Sequence, residues 1–191
     1  MIKTRKDLKF YLQEDAKANF MEGIQYWKYR LKLFAGSESA HVYRYLKCLR
    51  HCEYHCNNSG LLHKMFYGFY KIMLHRLGFR YNLRIPINVC GYGLSLYHFA
   101  GGGGCLVNAK KVGNYCHLQT GVLLGNAHHS EDEKPIIGDN VEFGPGAKVL
   151  GKVTIGDNVF VLANAVVTKD VPTDAIVGGI PAKIIKYNAQ I

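Results

Sequence analysis

The chain has nine histidines, four of them (His98, His117, His128 and His129) in its second half. A neutral imidazole can take a proton from a hydroxyl near neutral pH and return it to a leaving group. His98 lies in the stretch LSLYHFAGGGGC, where two residues separate it from the run Gly101–Gly104. A phosphate-cradling loop would end in Gly-Lys-Ser/Thr and open a helix. Here Cys105, Leu106 and Val107 follow, which is strand-like. The glycines read instead as a bulge whose backbone can approach a ligand closely. Its N–H groups, at Gly103 and Gly104, are candidates for supporting an oxyanion or an acceptor.

A second constellation, Cys48, Cys52 and Cys56, falls at i, i+4, i+8 with His51 and His55 interleaved. On a helix these thiols share one face. Structural zinc sites use short Cys pairs joined by turns, so a buried face of small thiols is the reading and no metal is expected.

The elements that must position these residues come in two kinds. From residue 137 the chain repeats every six residues: IGDNVE, FGPGAK, VLGKVT, IGDNVF, VLANAV, VTKDVP. The first positions are Ile137, Phe143, Val149, Ile155, Val161 and Val167, and the fifth are Val141, Ala147, Val153, Val159, Ala165 and Val171. The same frame extends upstream through Val112, Leu118 and Leu124, and earlier through Cys90 and Leu96. A hexapeptide period is a β-helix signature. Three hexads make one triangular coil, first-position side chains fill the prism, and Gly, Asn and Asp turn the corners. Residues 1–84 read as three or four helices rich in tyrosine and arginine, with Leu8, Tyr11, Leu12 and Asp15 at helical spacing and a stop near Gly78. The expected class is therefore α+β: an N-terminal helical domain over 1–84 and a left-handed parallel β-helix over 85–191.

The net charge of +10 is uneven. Residues 1–84 hold 16 Lys/Arg against 6 Asp/Glu, and residues 85–191 hold 8 of each. The basic helices are expected to face an acidic glycan or a membrane surface, or to assemble the protein; nucleic acid is not an expected partner. With a charged start and no signal-peptide core, a cytoplasmic location is expected, a peripheral place at the inner membrane face being the alternative to a freely dissolved one.

The hexads, the closing stretch VTKDVPTDAIVGGIPAKIIK and the segment IPINVCGYGLSLYH resemble the hexapeptide-repeat acyltransferases, on the serine acetyltransferase branch with its polysaccharide-cluster relatives. The resemblance covers residues 85–187. It implies a homotrimer, acetyl-CoA as co-substrate in a groove between neighbouring β-helices, and a histidine base that lets a hydroxyl attack the thioester directly. It places His98 at the base. It implies donor contacts at Ala163, Thr168, Lys169, Lys183 and Lys186, with a weaker match at Pro145. Lys183 and Lys186 would share a face only if the tail is helical. In galactoside-type relatives the base lies in a loop that here reads NAHHSEDEKP, which makes His128 and His129 the rivals. A zinc enzyme of the γ-carbonic anhydrase kind lacks its closely spaced downstream histidine pair here.

The sequence departs from the serine branch at the acceptor end. The acidic residues that would flank the base are replaced by Leu83 and Tyr97, and the Arg-His pair that would grip a serine carboxylate is replaced by Glu133 and Lys134. A bidentate clamp is lost with the arginine, whereas Glu131, Asp132 and Glu133 can accept hydrogen bonds from vicinal hydroxyls. The expected activity is acetyl transfer from acetyl-CoA to a saccharide hydroxyl. The alternatives are serine O-acetylation for cysteine synthesis and a non-enzymatic trimeric scaffold.

Overall fold

The computed structural model describes residues 1–98, 103–126 and 131–187. Four helices come first: α1 (Arg5–Ala18), α2 (Tyr26–Phe34), α3 (Glu38–Cys56) and α4 (Leu61–Tyr81). Thr4 opens α1 with a reciprocal cap, its Oγ1 accepting from the Asp7 N–H at 3.1 Å while an Asp7 carboxylate oxygen accepts from the Thr4 N–H at 2.8 Å. α4 runs three residues past the expected stop at Gly78, because Asn82 rather than the glycine takes the left-handed conformation that ends it. The Asn82 carbonyl then accepts from the Cys105 N–H at 3.0 Å, which ties the helix end to the sheet.

Short strands follow: β1 (Leu83–Arg84), β2 (Ser95–Tyr97), β3 (Cys105–Val107), β4 (Lys111–Val112), β5 (His117–Gln119), β6 (Val122–Gly125), β7 (Ile136–Ile137) and β8 (Glu142–Phe143). The chain continues through β9 (Lys148–Leu150), β10 (Thr154–Ile155), β11 (Phe160–Val161), β12 (Val166–Val167), β13 (Ala175–Gly179) and β14 (Ala182–Tyr187). They form three faces of a prism. One face is β1-β3-β6-β9-β12, the second β4-β7-β10 and the third β2-β5-β8-β11-β13, with β14 added antiparallel beyond β13. All other pairings are parallel and join one coil to the next. The hexad reading holds residue by residue: every first and fifth position from Ile137 to Val171 is buried, as are Cys90, Leu96, Val112, Leu118 and Leu124. Asn and Asp stack along one corner. Asn140 Nδ2 donates to Asn158 Oδ1 at 3.0 Å, and Asn158 Nδ2 donates to Asp174 Oδ1 at 2.9 Å.

One apolar cluster runs from Val42, Tyr45, Leu46 and Leu49 of α3, through Leu77 of α4, into the prism. Beside it sits a fully buried cation. Arg50 binds both Asp15 oxygens at 2.7 and 3.3 Å, Glu53 at 3.0 Å and the Cys90 carbonyl at 3.0 Å, and also donates to the Gly91 carbonyl. Burial opposes its charge, but the two carboxylates more than offset this and raise its pKa. Breaking a buried pair at one partner costs about 3–5 kcal/mol. Arg50→Met should therefore destabilise the protein by that order in urea melts, and a loss below about 1 kcal/mol would show that the network carries little.

The thiol stripe is buried only in part. Cys48 and Cys52 are buried and Cys56, at the last turn of α3, is exposed. Among the described residues no group of three or more His, Cys, Asp or Glu is arranged to hold a metal. Burial pushes the thiols of Cys48, Cys105 and Cys116 up to about 12 and that of Cys52 up to about 11. The thiolate is the reacting species, so one equivalent of iodoacetamide should label Cys56 in the native protein at pH 8, the other thiols reacting only after unfolding. Rapid native labelling of Cys105 or Cys116 would contradict the packing.

No helix among the described residues is long and apolar enough to cross a membrane.

Candidate active site

His98 is the residue that leaves β2 and turns the corner from the third face to the first. It is exposed and has φ +62°. The left-handed region is uncommon for a non-glycine side chain, and such residues gather at functional sites. Below it the same corner is turned in each coil by small residues: Thr120–Gly121, Pro145–Gly146 and Ala163–Asn164. The column is tight. The Gly146 N–H donates to the Thr120 carbonyl at 2.8 Å and the Asn164 N–H to the Pro145 carbonyl at 2.8 Å. A Cβ on Gly144 would come within 2.7 Å of the Ala163 nitrogen.

The strand carrying His98 lies at the open end of its face, and α1 closes that edge. Asp15 accepts from the Leu94 N–H at 3.1 Å. Asn19 accepts from the Leu96 N–H at 3.2 Å and donates to the Leu94 carbonyl at 2.8 Å, so its amide stands in for a neighbouring strand. The Ser95 and Tyr97 hydroxyls both donate to the Ala18 carbonyl at 3.1 Å. Tyr97, found where an acidic neighbour of the base was sought, is thus an anchor to α1. Its ring stacks on His117 with centroids 6.0 Å apart. Leu83 is 4% exposed and belongs to the core. His117 lies on the outer side of the third face. Burial lowers its pKa while Glu142 pulls it the other way.

Gly103 and Gly104 have packing reasons of their own. A Cβ on Gly103 would meet the Thr120 hydroxyl. Gly104 has φ +43°, and a Cβ there would collide with the Asn82 backbone oxygen. Both line a groove of about 880 Å³ between α4 and the first face, which Lys71, His75 and Arg84 also border. His128 and His129, like Gly101 and Gly102, lie outside the described residues.

The remaining expected residues stand elsewhere on the prism. Glu133 closes a 3₁₀ turn, Glu131–Glu133, at the corner between the first and second faces. Thr168 and Lys169 turn that same corner at the far end and are exposed. Within one chain His98 and Glu133 are thus separated by the width of the first face. The tail is a strand, not a helix, so the condition set for a shared lysine face fails as stated. A bulge restores it: Gly178 pairs with Lys183 and Ile176 with Lys186, and the register shifts between Ile176 and Val177. Both lysines consequently lie on the outward side with Gly178 and Ile176. Gly178 abuts Leu162, which begins the corner carrying Ala163. His98, Ala163 and Lys183 therefore mark the top, the lower part and the bottom of one edge. Four strand spacings separate β2 from β13, about 19 Å.

The anchors Asp15, Asn19 and Arg50 were missed as contributors to the site, although an acidic residue at an apolar helical spacing signalled one of them. Gly104→Ala should cost about 1–3 kcal/mol through backbone strain and collision, read as a lower melting temperature. An unchanged melt would leave ligand approach as the reason for that glycine.

Comparison with known proteins matches residues 134–169 to the family described as bacterial transferase hexapeptide (six repeats). A serine acetyltransferase of Synechococcus elongatus is 41% identical over 96 residues, half of this chain and 38% of that protein. The crystal structure of serine acetyltransferase from Brucella abortus aligns with a TM-score of 0.71 at 23% identity, covering 97% of this chain and 71% of that one. The serine acetyltransferase of Neisseria gonorrhoeae in complex with serine aligns with a TM-score of 0.68 at 25% identity, covering 95% and 70%. The chain spans little more than a third of the length of the Synechococcus relative. Repeat, fold and relatives together make the chain similar to hexapeptide-repeat acyltransferases, and among them to serine acetyltransferases.

Proposed function

We propose that the chain is an acetyl-CoA-dependent O-acetyltransferase with His98 as general base and the hydroxyl of L-serine as acceptor. The observation that carries the reading is the single edge on which His98, the small-residue corners and the exposed Lys183 fall in line. Lys183 and Lys186 supply positive charge for the donor's nucleotide phosphates; Thr168 and Lys169, at the opposite corner of the first face, reach such a donor only from a neighbouring chain. The tight corner at Ala163 leaves backbone open to the donor's extended arm. His98 takes the proton of the acceptor hydroxyl as the oxygen attacks the thioester carbonyl, then returns it to the departing thiolate, so proton and charge balance within the site. Backbone N–H groups at Gly103 and Gly104 support the oxyanion.

The working unit is a homotrimer. His98 and the Glu133 corner lie at opposite margins of the first face, so a neighbouring chain brings its own Glu133 corner up to His98. The serine relatives support serine as acceptor. A saccharide hydroxyl is the second reading, favoured by one observation: Glu133 and Lys134 stand where the serine branch carries its carboxylate-gripping Arg-His pair.

Thiol release from acetyl-CoA, measured with L-serine and a panel of sugars, tests both. Wild type should turn over serine, and His98→Ala should lose 10²- to 10⁴-fold in kcat, the usual contribution of a placed acid–base group. Turnover with a sugar but not serine would transfer the assignment to the second reading. A near-normal rate in His98→Ala would remove His98 as the base.

A further inference from the structure

α4 is apolar on two sides. Its inner side packs Tyr70, Met73, Leu74, Leu77 and Tyr81 against the core. Its outer side exposes Leu62, Met65, Phe69, Ile72 and Phe79, at 55–90% exposure. These positions follow a three- and four-residue spacing that keeps them in one stripe along the helix. Arg76 and Arg80 fall within the stripe, and Lys64, Lys71 and His75 run along one flank. α4 contains no acidic residue. α2 repeats the pattern on a smaller scale, with Tyr26, Trp27, Leu31 and Phe34 exposed beside Lys28, Arg30 and Lys32 and no acidic residue.

An exposed apolar stripe of this length calls for a cover. A second copy of α4 would bring four cations against four cations with no anion to relieve them. A surface that is anionic outside and apolar just beneath matches both components at once. Basic helices with apolar and aromatic faces lie in the plane of such a surface.

We propose that α4, assisted by α2, docks the protein on an anionic lipid bilayer, with the Leu62–Phe79 stripe sunk into the headgroup and acyl boundary and the lysines and arginines on the lipid phosphates. The groove along α4 fits this orientation. Lys71, His75 and Phe79 of the helix border it, and it extends to Gly103 and Gly104. The docking itself does not rest on the acetyl-transfer reading and is measured without acetyl-CoA.

The experiment is flotation of the full chain with vesicles of phosphatidylcholine containing 30% phosphatidylglycerol, against pure phosphatidylcholine. Binding to the anionic vesicles is expected, weakening at high salt. Each surface cation contributes about fivefold, so Lys64→Glu with Lys71→Glu should weaken binding by about 30-fold or more. Met65→Ser with Phe69→Ser and Ile72→Ser should abolish it, while circular dichroism and the oligomeric mass stay unchanged. All of these positions are exposed, so folding is retained. Absence of flotation with anionic vesicles would overturn the proposal. So would a drop in oligomeric mass in the triple serine variant, which would make the stripe a contact between copies. Binding to heparin that survives the serine substitutions, with no vesicle binding, would make the basic half a polyanion site instead.

Discussion

The buried guanidinium of Arg50 is the constraint on which the arrangement of the two halves depends. Arg50 has no access to water, and its partners come from three elements: Asp15 from α1, Glu53 from α3 itself, and the Cys90 and Gly91 carbonyls from the first turn of the prism. A buried cation left with one missing partner is costly, so α1, α3 and the entrance to the β-helix must come together in one geometry. Asp15 also accepts from Leu94, and Asn19, four residues on, pairs with the same strand. The helical half thus fixes the strand that ends in His98. The prism core supplies the bulk of the burial but has no means of choosing where its first edge is closed; the ion network makes that choice.

The prism was legible because its physics is periodic. Residues such as Phe143, Val149 and Ile155 occupy equivalent places, and each repeat confirms the last. His98 was singled out by resemblance and by the glycines that follow it, while its place at a corner emerges only from the fold. The edge closure was not legible, because Asp15, Asn19 and Arg50 are joined to residues 90–96 of the β-helix across up to 79 residues by tertiary packing, and no local spacing encodes a contact of that separation. The tail shows a subtler limit. IPAKIIKY has the spacing of neither a clean strand nor a clean helix. Only the observed register, with one residue bulged, shows that Lys183 and Lys186 emerge on the same side. Cys56 escaped burial because α3 ends there, a boundary that the i, i+4, i+8 pattern does not contain.

The two halves also divide the electrostatics. The β-helix is neutral in sum and orders its corners with Asn–Asp ladders, whereas the helices hold the whole excess of positive charge. The helical half uses part of its charge inward, at Arg50, and turns the rest outward on α2 and α4. The helical half that fixes the His98 strand, through α1, is therefore also the half that carries the outward-facing charge, on α2 and α4.

The corner column beneath His98 has a metric consequence. Each coil adds about 18 residues and lengthens the prism by one strand spacing, about 4.8 Å, without altering the cross-section of the core. The interval between imidazole and lysine is therefore set by counting coils, not by adjusting side chains. On the proposed roles of His98 and Lys183 the prism acts as a ruler graduated in coils, and a donor molecule of different length would be accommodated by inserting or deleting a whole graduation.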